Sequence, residues 1–256
     1  MYVACSTLCF SKDPLELALR RMLDLEFHRV DMEIVESGGH LRPSELAENL
    51  ESGLQRLREG PSLSLSAIGL DFGDIDPLGP VYRRRFEAAC RMAKSTTVAV
   101  LTIAAAPLDS PFDDEVKRLT ELSSHAMRQG LVVAVETHAE TLTAHPAGAV
   151  ALCRAVPGLG LTLDPSHYIH GPHGSHNFEE VYPFVQNVHL RDTGKKPGEF
   201  QVRVGQGEIE YGRVVSSLER VGYNRALTVA ILDRLDNPFE VEVEVRKLKL
   251  LLESLL

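Results

Sequence analysis

The chain has 256 residues, of which 44% are hydrophobic and 25% are charged, as in an ordinary globular protein. Its formal net charge of −9 argues against a nucleic-acid partner, because such partners are bound by clustered Lys and Arg side chains. No stretch approaches the roughly 18 apolar residues of a membrane span, and the N-terminal region lacks the basic residues that begin a signal peptide.

The four cysteines lie far apart or without the spacing of metal ligands. We therefore expect them to be reduced, small apolar residues, which is typical of a cytoplasmic protein. A homo-oligomer is compatible with the sequence, but nothing in the sequence specifies one.

Apolar runs of strand length alternate with amphipathic stretches along the whole chain. The strands are predicted at 2–10, 29–35, 62–70, 97–104, 131–137, 160–163, 185–190 and 226–232. The helices are predicted at 13–24, 43–58, 78–95, from 110 onward, 144–155, 177–182, 209–221 and from 237 to 256. Eight strands that alternate with eight helices predict an α/β chain folded as one (β/α)8 barrel, a single domain over residues 1–256. A doubly wound open sheet is the alternative, but no Gly-rich dinucleotide turn follows the first strand.

Three motifs end apolar runs in an acid or a histidine: Val-Ala-Val-Glu136-Thr-His138, Leu-Thr-Leu-Asp164-Pro-Ser-His167 and Asn-Val-His189-Leu-Arg191-Asp192. They are about one strand-plus-helix unit apart, so their strands are parallel and their carboxyl ends meet on one rim. Two carboxylates and an imidazole gathered there suit one divalent ion such as Mn, Zn, Co or Mg.

Strand alternation adds further candidates to this rim. His138 shares the face of Glu136, and Arg191 shares the face of His189, so we expect both to contact substrate. Asp31 and Glu33 share one face of the second strand, and Glu33 is assigned a substrate contact. Asp192 points the other way and is expected to orient a neighbour.

Each of these residues also has a purely structural interpretation. Glu136 would pair with a buried cation, Asp164 would cap the turn before Pro165, and His189 would be a satisfied core residue. The occurrence of all three on successive strands favours a metal site. The later histidines 170, 173 and 176 are spaced by three residues and read more simply as a His-rich loop.

In this order, and followed by Val204-Gly-Gln-Gly-Glu-Ile-Glu-Tyr, the motifs resemble the sugar isomerase/epimerase superfamily with the xylose isomerase-like barrel. The resemblance implies that Glu136, Asp164 and His189 bind the metal. It also implies that His167 and Arg191 contact substrate, and that Glu136, His167 and Arg191 carry the chemistry.

One departure from the superfamily concerns strand eight. Its fourth ligand is a glutamate at the end of that strand, where this chain has Ala230. Asp233 follows three residues later and could replace the missing carboxylate if the strand end bends. The superfamily has more distant relatives among multi-zinc endonucleases, which use a histidine on strand four as a ligand. Strand four of this chain has no such histidine, which again disfavours nucleic acid.

Two classes of function remain. The first is a metal-dependent isomerase or epimerase that abstracts a proton next to the carbonyl of a sugar, keto-sugar or polyol, with a lyase or dehydratase on the same scaffold as a variant. The second is a non-catalytic relative that binds a carbohydrate or a partner, for which Ala230 is the main argument.

Overall fold

The computed structural model describes residues 1–256 as a closed barrel of eight parallel strands in sequence order, β1 to β8. The strands are β1 (Tyr2–Ser6), β2 (Arg29–Val35), β3 (Ser64–Asp71), β4 (Val100–Ile103), β5 (Val132–Glu136), β6 (Gly160–Leu163), β7 (Val185–Leu190) and β8 (Ala226–Val229). The (β/α)8 barrel expected from the alternating pattern is confirmed.

Nine α-helices surround the barrel. They are α1 (Leu15–Asp24), α2 (Pro43–Glu48), α3 (Leu50–Glu59), α4 (Pro80–Ser95), α5 (Phe112–Met127), α6 (Pro146–Ala155), α7 (Pro165–His170), α8 (Tyr211–Arg220) and α9 (Val241–Glu253). Two 3-10 helices cover Thr7–Phe10 and Glu179–Phe184. None of these helices combines the length and the apolar character needed to cross a membrane.

Several segments differ from the sequence prediction; β8, for example, ends at Val229 rather than at residue 232. Residues 7–10 form a 3-10 turn rather than the end of β1, because the Ser6 hydroxyl accepts the Leu8 amide and turns the chain. The stretch 43–58 is two helices, since Asn49 ends the first and its side chain caps the second through the Ser52 amide. In both segments, buried residues lie on either side of the break in the chain. The apolar pattern of the sequence is therefore the same as that of one continuous strand or helix.

Residues 165–170 form helix α7, where only a Gly- and His-rich loop was predicted. Its N-terminus has the two usual start signals, Asp164 as the cap and Pro165 in the first turn. The Asp164 Oδ1 atom accepts the Ser166 amide at 3.0 Å. The helix follows β6 directly, so it fixes His167 at the barrel rim.

The outer faces of the strands pack against the helices in one large apolar cluster. The inside of the barrel is small and polar by comparison. Ala67, Val100 and Ala134 form an apolar layer, while Thr102 and Thr162 share a hydrogen bond of 2.7 Å across the barrel. Small and polar residues inside leave room for the charged side chains above them.

Candidate active site

A cavity of about 390 Å³ opens at the carboxyl ends of the strands. Six of the residues predicted for the site line it: Glu33, Glu136, His138, His167, His189 and Arg191. The seventh, Asp164, is fully buried beside this cavity. The fold therefore gathers, at the expected rim, side chains that lie up to 158 residues apart in the sequence.

The His189 imidazole lies between two carboxylates. Its Nδ1 atom is 2.9 Å from Glu136 Oε1, and its Nε2 atom is 3.0 Å from Asp31 Oδ2. Burial lowers the pKa of His189, but the hydrogen bonds to Asp31 and Glu136 outweigh it and hold that pKa well above its ordinary value. The pKa of Glu136 is raised by burial and lowered by the bond from His189, and the net result lies below the ordinary value.

Asp31 is a residue to which sequence reasoning assigned no role. It is fully buried in β2, where its Oδ2 atom accepts the Asn187 amide at 2.7 Å. Its Oδ1 atom is buried and accepts no hydrogen bond. The signal available in the sequence was its alternation with Glu33, but that pattern did not reveal His189 as a partner.

Glu33 follows Asp31 by two residues in β2, so its side chain lies on the same face of the strand. Burial, followed by repulsion from Asp31, raises the pKa of Glu33 to about 8. Its Oε1 atom is buried without a hydrogen-bond partner, 3.8 Å from His189 Nε2. The paired residue on β3 is Gly69, and a Cβ atom there would overlap the Glu33 carboxylate. Glycine at position 69 is thus what admits this side chain.

Arg191 links Asp164 to His167. Its Nη2 atom is 2.6 Å from Asp164 Oδ2 and 3.0 Å from His167 Nε2, and its guanidinium lies 4.5 Å from the centre of the Phe200 ring. Burial first, and the Arg191 charge second, lower the pKa of His167 to about 2. His167 is consequently a neutral hydrogen-bonding group, while the buried Nε of Arg191 keeps a free donor.

The remaining histidines have two different roles. The His138 ring stacks on that of His167 with centroids 4.1 Å apart, on the cavity wall. His170 and His173 instead contact the backbone carbonyls of Gly194 and Asn177, at 2.8 and 3.0 Å. Neither of these two lines the cavity. His173 lies in the predicted loop, whereas His170 is the last residue of helix α7.

Asp192 orients the segment that follows β7, as its outward direction predicted. Its carboxylate accepts backbone amides from Thr193, Gly205, Gly207 and Ile209, at 2.7 to 3.4 Å. A Cβ atom at position 207 would overlap this carboxylate, so glycine at this position allows the segment to fold around Asp192. The segment carries Phe200 onto Arg191.

No carboxylate takes the place of the glutamate expected at the end of β8. Ala230 lines the cavity at that position. Asp233 forms an ion pair of 2.7 Å with Lys12 and lines a different cavity. The structure therefore shows Asp233 turned away from the rim.

The residues at the rim fit a divalent cation. The set Asp31, Glu33 and His189 brings its ligand atoms within 4.8 Å of one another, and two of its oxygens lack any hydrogen-bond donor. Oxygen and imidazole donors of this kind suit Mg, Mn or Zn. This set shares only His189 with the predicted ligands Glu136, Asp164 and His189, whose assignment stays a prediction.

Residues 19–251 match the protein family described as xylose isomerase-like TIM barrel. No curated protein matches the chain. Since the match spans most of its length, the chain belongs to this family.

Solved structures agree with the family match. A xylose isomerase-like TIM barrel protein from Mycobacterium smegmatis, in complex with magnesium, is 18% identical, with a TM-score of 0.74 and coverage of 100% of this chain and 98% of that one. A D-allulose 3-epimerase from Methylomonas sp. is 14% identical, with a TM-score of 0.74 and coverage of 100% of this chain and 98% of that one. The probable 3-DHS dehydratase AsbF from Bacillus anthracis is 15% identical, with a TM-score of 0.72 and coverage of 97% of this chain and 98% of that one. At these identities the likeness shows the shared fold.

Proposed function

We propose that this member of the xylose isomerase-like TIM barrel family is a metal-dependent enzyme that removes a proton next to the carbonyl of a small sugar, a keto-sugar or a keto derivative of a polyol. The observation that carries the proposal is the rim cavity in which Glu136 and His189 face Arg191 and His167. A cavity of about 390 Å³ is of the size that small ligands occupy.

Glu136 is the proposed base. The hydrogen bond from His189 overcomes the effect of burial and keeps the pKa of Glu136 below its ordinary value, so the carboxylate is ionised at neutral pH. Its side chain retains 27% exposure on the cavity side, which leaves it accessible to a substrate. A positioned carboxylate of this kind contributes about 10²–10⁴-fold to a proton transfer.

Arg191 is the proposed partner of the substrate oxygen. It is a fixed cation, buried against Asp164 and Phe200, that lines the cavity and can stabilise an oxygen that gains charge. His167 stays neutral because burial and Arg191 lower its pKa, so it adds a hydrogen-bonding group without adding charge. His138, stacked on it, and Glu33 on the opposite wall complete the proposed substrate contacts.

A divalent ion held at His189 would polarise the carbonyl as a Lewis acid. Two structural relatives bear on this point, since one contains magnesium and another is described as binding zinc. His189 is common to the predicted ligand set and to the cluster with Asp31 and Glu33.

A lyase or dehydratase is the second candidate, and Ala230 is the observation that favours it. Epimerisation needs a proton returned to the opposite face of the sugar, which a second base would supply. Elimination removes one proton from carbon and expels a hydroxyl group, which leaves as water once it is protonated, and no proton has to be returned to carbon. The likeness to a probable dehydratase agrees with this possibility.

The test is solvent deuterium incorporation into a panel of ketoses and keto-polyols by protein whose metal content has been measured. We expect exchange to depend on the metal and to fall by about 10²-fold or more in Glu136→Gln. If Glu136→Gln exchanged deuterium at the wild-type rate, Glu136 would not be the base. No exchange or elimination with any compound, together with retained ligand binding, would favour a non-catalytic carbohydrate-binding relative.

A further inference from the structure

We propose that this chain holds its divalent ion on Nε2 of His189, together with Asp31 and Glu33 of β2. The inference rests on the metal dependence in the proposed function and specifies its ligands. It places the ion on the opposite side of the imidazole ring from the site that Glu136 and Asp164 would form.

Two buried carboxylate oxygens on the Nε2 side of the ring have no hydrogen-bond partner. Asp31 Oδ1 and Glu33 Oε1 are buried and accept no hydrogen bond, although both belong to groups that strongly prefer a cation or a donor. The ligand atoms of Asp31, Glu33 and His189 all lie within 4.8 Å of one another. A divalent ion would compensate two adjacent buried carboxylates.

The barrel is built to keep the Glu33 carboxylate in this place. Glu33 pairs in register with Gly69, and any larger residue there would overlap the carboxylate. The Asn187 amide fixes Asp31 from β7, where it donates to Oδ2 at 2.7 Å. Both acids are therefore positioned by neighbouring strands rather than by each other, which favours a preformed site.

The Nδ1 side offers fewer free ligands. Glu136 is the one carboxylate in contact with Nδ1, at 2.9 Å. Asp164 is already engaged, since its Oδ1 atom accepts the Ser166 amide and hydroxyl. Its Oδ2 atom accepts no hydrogen bond, but Arg191 compensates its charge in an ion pair of 2.6 Å. With Ala230 at the end of β8, that side has lost the carboxylate of the superfamily pattern.

This arrangement gives Glu136 a different task. A metal-bound imidazole generally donates its other N–H to a carboxylate, which fixes the orientation of the ring. Here Nδ1–H would donate to Glu136, which is a positioning contact for His189. The carboxylate of Glu136 would then remain outside the ligand set and available as the base.

The first experiment is calorimetric titration of Mn²⁺ into wild type, Asp31→Asn, Glu33→Gln, His189→Ala and Asp164→Asn. We expect the three variants at proposed ligands to lose more than the roughly 10–100-fold that outer partners of a metal contribute. Asp164→Asn should keep the wild-type affinity. Thr162→Val is the matched control, because it removes a buried hydrogen bond inside the barrel without touching His189.

The second experiment identifies the nitrogen directly. In zinc-loaded protein labelled with ¹⁵N-histidine, the NMR signals of His189 should show the proton on Nδ1 and the metal on Nε2. The opposite pattern overturns the inference, whatever the stability of the variants.

The outcomes separate the inference from the proposed function. Loss of Mn²⁺ affinity in Asp164→Asn with none in Glu33→Gln would overturn the inference and leave a metal enzyme of the superfamily pattern. Absence of Mn²⁺ and Zn²⁺ binding by the wild-type protein would overturn both. Melting temperatures of all variants identify any that fails to fold. Glu33→Gln is expected to disturb folding least, because Glu33 lines the cavity.

Discussion

Arg191 and Asp164 form an ion pair of 2.6 Å in which both side chains are almost completely buried. The pair joins the ends of β6 and β7, and it makes Arg191 a part of the fold as well as a proposed substrate contact. Removing one member would leave the other charge buried without compensation, which is much more costly than removing an exposed pair.

We therefore expect Arg191→Met to lower the free energy of unfolding by about 3–5 kcal/mol. The double variant with Asp164→Asn should be less destabilised than the sum of the two single variants, because the uncompensated charge is then absent. Urea unfolding measures all three. Arg234→Met, which breaks an exposed pair with Asp236, is the control and should leave stability nearly unchanged. Additive effects in the double variant would argue against coupling.

Gly69→Ala should displace the Glu33 carboxylate, since the new Cβ atom would overlap it. We expect a clear loss of Mn²⁺ affinity with little change in the melting temperature, because the backbone of Gly69 is ordinary strand. Gly212→Ala in α8 is the control, since nothing lies within 4 Å of the added Cβ atom. Wild-type metal affinity in Gly69→Ala would show that Glu33 does not need its present place.

Asp192→Ala should release the segment between β7 and α8. Four backbone amides would lose their acceptor, and hydrogen bonds to a charged group are worth about 1.5–3 kcal/mol each before relaxation. Hydrogen exchange of the Gly205 and Gly207 amides should accelerate strongly, and the global stability should fall by at least about 2 kcal/mol. Asp233→Ala, which removes an ion pair with Lys12 beside a different cavity, should leave these amides protected.

The thiols predict a loss of stability at alkaline pH. Burial raises the pKa of Cys90 and of Cys153 to about 12. Between their ordinary pKa and pH 12 the unfolded chain loses thiol protons that the folded protein keeps, so stability should fall as the pH rises through this range. The Cys90→Ala/Cys153→Ala variant should show a shallower decline in urea unfolding above pH 9. An equally steep decline would assign it to other groups, such as the buried tyrosines.

Reactivity of the same thiols offers a simpler check. All four cysteines are free and buried. A thiol reagent at pH 8 should therefore react with none of them in the folded protein and with all four in denaturant. Rapid reaction of any cysteine in native buffer would contradict its burial.

Much of the architecture follows from local sequence. Apolar runs separated by helical stretches specify a parallel α/β arrangement, and period two along each strand places Glu136, His189 and Arg191 toward one rim. The predicted barrel is confirmed for this reason, and six of the seven predicted site residues line one cavity. Start signals at Asp164 and Pro165 were also present, although the His-rich composition concealed the short helix α7.

Contacts between distant strands could not be predicted in this way. Asp31 and His189 are 158 positions apart, and a strand pattern states which face a residue occupies but not which residue lies opposite. The same applies to the engagement of Asp164 by Arg191 and to the space that Gly69 leaves for Glu33. Sequence alone determined the barrel and the set of polar residues at its rim. Only the closure and stagger of the barrel decided which of them meet, because those distances depend on the packing of all eight strands at once.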